Sequence, residues 1–161
     1  MPTGFGAPPK NYAGWFQRVV ATIIDSIIGV LFAVPGFVVL AAGPSEIAPC
    51  TIDGQLYNCD QPTGTTAAIA ILLYIVGFVV YLVLYCRMLG KGATWGRKAM
   101  GYRILDAQTG QPIGTGRAVG RFFARILDGI PCYLGYLWPL WDAENRTFSD
   151  MVVGTRAIKN T

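Results

Sequence analysis

Between Ala67 and Cys86 the chain runs for 20 residues without a single charge. Wound as a helix at about 1.5 Å per residue, that run is about 30 Å long, the thickness of a bilayer's hydrocarbon core. It reads as a transmembrane helix. A second run, Val19 to Ala42, has 24 residues whose only charge is Asp25. It is long enough to cross as well, with a kink expected at Pro35-Gly36, because a prolyl nitrogen cannot donate to the helical ladder. The composition agrees: of 161 residues 53% are hydrophobic and 14% charged, against about 25% charge in soluble domains. These numbers exclude coiled coils, solvated disordered chains and a large soluble enzyme. Residues 1–11 are Pro/Gly-rich with no apolar stretch, so they read as a cytoplasmic tail rather than a secretory signal.

Cytoplasmic flanks retain Lys and Arg. The segment 43–66 has neither and carries Glu46, Asp53 and Asp60, whereas Arg87, Lys91, Arg97, Lys98, Arg103, Arg117, Arg121 and Arg125 all follow the run 67–86. The segment 43–66 is therefore expected outside, with both termini in the cytoplasm. Cys50 and Cys59 both fall in that outer loop, on the oxidising side, where a disulfide closes easily; two free surface thiols are the alternative. Cys86 and Cys132 fall at or within the membrane and read as small packing residues.

Residues 101–113 hold two short alternating runs around Gln108-Thr109-Gly110, which reads as a β-hairpin. Residues 151–159 alternate similarly and are expected to add a third strand. Between them, 116–141 is apolar but broken by Asp128, Pro131, Gly135 and Pro139. A full crossing there would put Arg146, Arg156 and Lys159 outside. The segment is therefore expected to insert as a helix to about Ile130 and return, anchored by Tyr133, Tyr136, Trp138 and Trp141; a third crossing is the rival. The fold class that results is an all-α membrane protein: transmembrane helices over 19–42 and 67–86, a third short or re-entrant helical segment, and a small cytoplasmic β-hairpin or three-stranded element, all in one domain over 12–161.

An internal repeat marks the candidate site. Arg18-Val-Val-Ala-Thr-Ile-Ile-Asp25-Ser-Ile27 aligns without gaps on Arg121-Phe-Phe-Ala-Arg-Ile-Leu-Asp128-Gly-Ile130. In each copy an Arg precedes an Asp by two helical turns, hence on one face, with the Asp roughly 10 Å deeper. A carboxylate at such depth costs about 3 kcal/mol and demands a partner, water or a proton. Two readings follow. Asp25 and Asp128, with the hydroxyls of Thr22 and Ser26, form a cation or proton site; or each Asp pairs with an Arg of the other repeat and fixes helix packing. Arg18, Arg121, Arg125 and Asp150 are the charge-pairing set. Arg117, Arg121 and Arg125 recur at helical spacing and, with Arg97 and Lys98, are candidates for anionic lipid headgroups.

The chain has no histidine, which removes the commonest general base and most zinc and haem sites. No catalytic residue, metal site or cofactor is expected, and no nucleic-acid reader motif is present. Gly114-Thr-Gly116-Arg-Ala-Val-Gly120 is mis-spaced for a dinucleotide fingerprint. Asp142, Glu144 and Asp150 sit around Arg146 and read as salt-bridging rather than divalent-ion ligands.

Arg18 at the entry of the first helix, Asp25 within it, Gly92-Ala-Thr-Trp-Gly-Arg-Lys-Ala-Met-Gly101-Tyr-Arg103 and Ser149-Asp150-Met-Val-Val-Gly154-Thr155 together resemble the RDD family of small bacterial membrane proteins, from about Tyr12 to Lys159. The family's one arginine and two aspartates map onto Arg18, Asp25 and Asp150; where members often carry a basic residue or His before the last Asp, this chain has Phe148-Ser149. The resemblance implies a bacterial inner-membrane location and transport of unidentified ligands, with cation/proton exchange suggested for some members. Two or three crossings cannot enclose a conduction path, so transport is expected to need a homo-oligomer. The competing class is an accessory subunit of a larger membrane complex, for which Tyr74, Gly77, Tyr81 and Tyr85 on the second helix would offer a packing face.

Overall fold

Runs of apolar residues with few breakers wind into helices, and the breakers set where each one stops. The structure, a computed structural model, describes residues 11–130 and 134–160. The run 19–42, with a few residues before it, forms α1 (Trp15–Leu31) and α2 (Val34–Ala42), bent by 45° across Phe32-Ala33. The kink expected at Pro35-Gly36 lies two to three residues earlier. The prolyl ring disfavours the helical state just before it and would strike the carbonyl four residues back, at Leu31, where α1 ends. Pro35 itself sits in the first turn of α2, where a missing N–H is harmless.

The segment expected outside is a hairpin rather than a loop: β1 (Ser45–Ile52) and β2 (Gln55–Pro62) pair antiparallel, with Ile52 opposite Gln55. Asp53 and Gly54 between them both have positive φ, 51° and 80°, the backbone of a two-residue turn matched to strand twist. Cys50 and Cys59 form a disulfide at a Cα separation of 5.8 Å. Then comes α3 (Gly64–Gly90), 27 residues long and more extended at both ends than the run 67–86.

The remainder is short elements: α4 (Trp95–Ala99), β3 (Tyr102–Asp106), α5 (Gly114–Gly129), α6 (Leu134–Leu137) with a 3-10 turn over Trp138–Leu140, α7 (Phe148–Val153) and β4 (Thr155–Lys159). The hairpin expected over 101–113 does not form. β3 pairs antiparallel with β4, and the return to β3 is limited to an isolated bridge from Pro112 to Leu105 and a bond from the Asp106 N–H to the Gln111 carbonyl. Asp106 holds the intervening turn by accepting from the backbone N–H groups of Gln108 and Thr109. The strand expected over 151–159 starts at Thr155; Met151 to Val153 belong to α7. Tyr12 bridges to Ile158 on the other side of β4. The tail over 1–10 and the packing and anchoring roles expected of Cys132 and Tyr133 lie outside the described residues.

Among the described residues α3 is the one helix long and apolar enough to cross a membrane, and α1 with α2 passes as a second, bent span. At 16 residues, α5 is about 24 Å long, short of the ~30 Å needed to cross.

The chain divides into two compact units. One is Ile27–Val83. Its apolar side chains point outward, including Phe37 and Val38 of α2 and Leu72, Ile75 and Phe78 of α3, an arrangement suited to lipid and unfavourable in water. Glycines set its helix contacts: Gly29 meets the Tyr81 ring, Gly36 the Tyr74 ring, and Gly77 the Phe32 carbonyl. The tyrosine face that an accessory subunit was expected to offer a partner is thus used inside this unit at Tyr74, Gly77 and Tyr81. The other unit joins residues up to Ser26 with those from Leu84 onward. Its core holds Leu89, Tyr102, Ile104, Ala118, Ala124 and Ala157, and also a dense set of buried charges.

Candidate functional site

All of those charges sit on the duplicated helices and the short elements they support. Arg18 of α1 and Arg121 of α5, equivalent in the repeat, both reach Asp150 at the start of α7. Arg18 Nη1 lies 2.6 Å from Asp150 Oδ2, and Arg121 pairs with Oδ1. Asp150 is fully buried and also accepts from Thr155 Oγ1 at 3.0 Å and the Thr147 N–H at 3.2 Å. The last bond completes a capping box, because Thr147 Oγ1 accepts from the Asp150 N–H in return. Burial alone would push this carboxyl up, but the Arg121 and Arg18 guanidinia hold it well below the ordinary carboxylate range.

Asp25 and Asp128, the other equivalent pair, do the same job in two places. Asp25 Oδ1 accepts from the Gly96 N–H at 2.8 Å, and Oδ2 from Thr94 Oγ1 at 2.5 Å. Asp128 Oδ1 accepts from the Ser149 N–H at 2.9 Å, while its buried Oδ2 has no hydrogen-bond partner. Gly96 and Ser149 occupy the same place in the first turns of α4 and α7. Each repeat helix therefore supplies a carboxylate that caps a short helix, where orphan N–H groups and the helix dipole favour a negative charge.

The duplication extends beyond the helices. Thr94-Trp95-Gly96 ends in Gly101 seven residues after the threonine, followed by Tyr102-Arg103; Thr147-Phe148-Ser149 ends in Gly154 at the same spacing, followed by Thr155-Arg156. Gly101 and Gly154 have φ of 68° and 66°, a left-handed conformation that favours glycine at a helix end. The strands that follow pair so that Ile104 faces Ala157 and the outer pairs Tyr102–Lys159 and Asp106–Thr155 exchange when the copies are swapped. Two copies of helix, capped turn and strand thus meet about an approximate two-fold axis. The copies differ in charge at two positions that matter here: where the second has Asp150 the first has Arg97, and where the second has Arg125 the first has Thr22.

Arg97 is buried and donates to Thr94 Oγ1 at 3.3 Å and to the Tyr85 hydroxyl at 3.2 Å. Arg125 donates to that same hydroxyl at 2.8 Å and to the Tyr136 hydroxyl at 3.3 Å. With Arg18 and Arg121 these residues line a cavity of about 440 Å³, whose other walls include Trp15, Val19, Ile23, Ile104 and Leu137. That size falls in the range of small-molecule sites.

A family model described as the RDD family matches residues 12–154. The chain belongs to the RDD family. It is also similar to the proline-rich antigen homolog of Mycobacterium tuberculosis, at 30% identity over 94% of this chain, and to the proline-rich antigen of Mycobacterium leprae, at 31% over 92%. The chain spans only 65% and 61% of those two proteins. An uncharacterized protein of Bacillus subtilis, YxaI, is 27% identical over 91% of this chain and 96% of its own length. No solved structure matches. Family membership and the apolar α3 make this a membrane-associated protein.

In this RDD protein the family's Arg18 and Asp150 are an ion pair, and Asp25 caps α4. The pairing expected of Arg18, Arg121 and Asp150 forms; Arg125 goes instead to two tyrosine hydroxyls. Thr22 lines the cavity and donates to the Arg18 carbonyl, whereas Ser26 is exposed. Arg97 and Arg121, expected at lipid headgroups, are buried inside this unit, because each completes the polar interior that the capped helices create. Arg117 and Lys98 are exposed. Arg117 pairs with Asp106 and donates to the Val153 carbonyl at 2.6 Å; the Thr109 N–H, Arg117 and the Gln108 N–H hold the Asp106 carboxyl well below its usual range. Asp142 and Glu144 pair with Arg146, and Glu144 also with Arg156, so the salt-bridging reading holds for those two, whereas Asp150, expected beside Arg146, pairs with Arg18 and Arg121 instead. Among the described residues no group of acidic or cysteine side chains is arranged to hold a metal ion. Sequence reasoning gave Arg97 to headgroups and Tyr85 to a packing face, and missed both their place in this polar interior and the capping role of the two aspartates. The Thr-x6-Gly-x-Arg spacing shared by 94–103 and 147–156 was the signal that could have exposed them.

Proposed function

We propose that this RDD protein is a two-span protein of the bacterial plasma membrane, with both termini cytoplasmic and the 45–62 hairpin outside, which takes a small charged solute into its arginine-lined cavity as a step in transport. The observation that carries the reading is the cavity, since four guanidinia converge there from both copies of the repeat. The Cys50–Cys59 disulfide supports the outside placement of the hairpin, and the exposed apolar sides of α2 and α3 support the two spans. A conduction path would form between copies in a homo-oligomer, because polar groups need surrounding protein within the membrane.

The sign of the solute follows from the caps. A cation or proton site at Asp25 and Asp128 has little free capacity, as three of the four oxygens accept hydrogen bonds that hold α4 and α7 in place. The guanidinia around the cavity favour an anion. Reconstitution of the full chain in liposomes tests this: anion uptake that falls in Arg125→Gln, with no proton or sodium flux, is the expected result. Sodium or proton flux abolished by Asp128→Asn in a well-folded protein would restore the cation reading. A cysteine added at the C-terminus should resist an impermeant maleimide in intact cells.

A further inference from the structure

Taking the cavity as a solute site, its walls say more about the occupant. Four guanidinia, of Arg18, Arg97, Arg121 and Arg125, line it. The carboxylates that face them are Asp150, which pairs with Arg18 and Arg121, and Asp25, linked to Arg97 through Thr94. Counting Asp128 at the start of α7 as well, positive groups still exceed negative ones. Two donors in this cluster, Arg18 Nη2 and Arg121 Nε, have no hydrogen-bond partner. Arg125 donates only to the neutral oxygens of Tyr85, Tyr136 and Thr22. A half-buried guanidinium with neutral partners attracts an anion, and the planar fork suits phosphate oxygens.

The rest of the lining is apolar: Trp15, Val19, Ile23, Ile104 and Leu137. A free inorganic anion would gain nothing from those walls. The α5 helix that presents Arg121 and Arg125 to the cavity exposes Phe123, Ile126, Leu127 and Ile130 on its other side, the pattern of a helix lying in the plane of a membrane interface. The cavity is therefore placed where a lipid can enter from the bilayer, and the cytoplasmic leaflet, where the topology above puts this unit, is the anionic one.

We propose that the cavity binds an anionic phospholipid, with the headgroup phosphate held by Arg125 in the positive field of Arg18, Arg97 and Arg121, and the start of an acyl chain along Trp15, Val19 and Ile23. This rests on the reading of the cavity as the solute site and names the class of molecule it takes.

The test uses the full chain in nanodiscs and after gentle detergent extraction. Native mass spectrometry should show phosphatidylglycerol retained from mixed phosphatidylglycerol/phosphatidylcholine discs, and phosphatidylcholine not. Arg125→Gln should weaken retention roughly tenfold or more, the loss expected for a charge-assisted hydrogen bond. Arg125→Lys should restore part of it, and Arg117→Gln, which removes an exposed cation outside the cavity, should leave it unchanged. Equal losses in the Arg117 and Arg125 variants would overturn the proposal in favour of surface attraction. Inorganic phosphate binding that depends on Arg125 without lipid retention would overturn the lipid while leaving the solute site intact. Neither binding nor anion flux, in variants that elute and melt like the parent, would overturn both.

Discussion

Replacing Asp150 by Asn gives the sharpest test of how this polar interior is held. The parent carboxylate is the counter-charge that Arg18 and Arg121 share, and none of the three is more than a tenth exposed at its side chain. The amide keeps the size and one acceptor, so it can still receive the Thr147 N–H, but it leaves two guanidinia side by side without their counter-charge. Breaking a buried pair from one side costs about 3–5 kcal/mol, and a chain of this size moves about 2–4 °C in Tm per kcal/mol. A fall on the order of 10 °C is expected in mild detergent, read by tryptophan fluorescence. Adding Arg121→Gln should recover part of the loss, because one of the stranded cations is then gone; a coupling of about 1–3 kcal/mol between the two substitutions is expected. The pH dependence has a definite sign. Since the folded carboxyl is held below its ordinary value, its contribution is complete above an unfolded pKa of about 3.9 and is lost as pH falls from there through the depressed folded value. A melt of Asp150→Asn within about 1 kcal/mol of the parent, or one showing the parent's full acid sensitivity, would refute this account.

Other substitutions probe the remaining supports. Gly96→Ala places a Cβ on the Ala21 carbonyl of α1 and should destabilise by about 1–3 kcal/mol, whereas Gly120→Ala, with open space around it on α5, should be neutral or stabilising by up to about 1 kcal/mol; thermal melts of the pair decide. Asp25→Asn and Asp128→Asn each weaken one helix cap, and losses of about 0.5–2 kcal/mol apiece are expected, with the Asp25 change felt in amide exchange at Thr94 to Ala99 and the Asp128 change at Phe148 to Val153. Gly154→Ala forces a side chain into the left-handed region at φ 66° and should cost about 1 kcal/mol or slightly more. Reduction followed by an impermeant alkylating reagent on intact cells should add two labels, at Cys50 and Cys59, and denaturation should be needed for the buried Cys86.

What could be read without coordinates depended on the range of the interaction that decides each element. α3 was legible because an uncharged run of that length has few other fates. The pairing of Arg18 with Asp150 was legible only as a set of charged residues, since 132 positions separate them. The 45–62 hairpin was missed although Asp53-Gly54, between Ile52 and Gln55, is a strong two-residue turn; its polar, acidic strands lack the apolar alternation that marks a half-buried sheet. Residues 102–106 did read as a strand, but their hairpin partner was taken to be the adjacent run 111–113, with 151–159 only as a third strand. The actual partner lies some fifty residues downstream, and β pairing at that distance leaves no local trace. The aspartates of the repeat were found by alignment, yet their task was not, because the N–H groups they satisfy belong to α4 and α7, elements too short to announce themselves by periodicity.

The approximate two-fold arrangement matches Arg18 with Arg121 and Asp25 with Asp128, but sets Arg97 against Asp150 and Thr22 against Arg125. Both repeat helices fasten one arginine, Arg18 and Arg121, to the same anion, so the duplicated halves share a single latch. Redundancy in the sequence therefore confers none in the assembly: an error in either half that displaces this one carboxylate unfastens the other half with it.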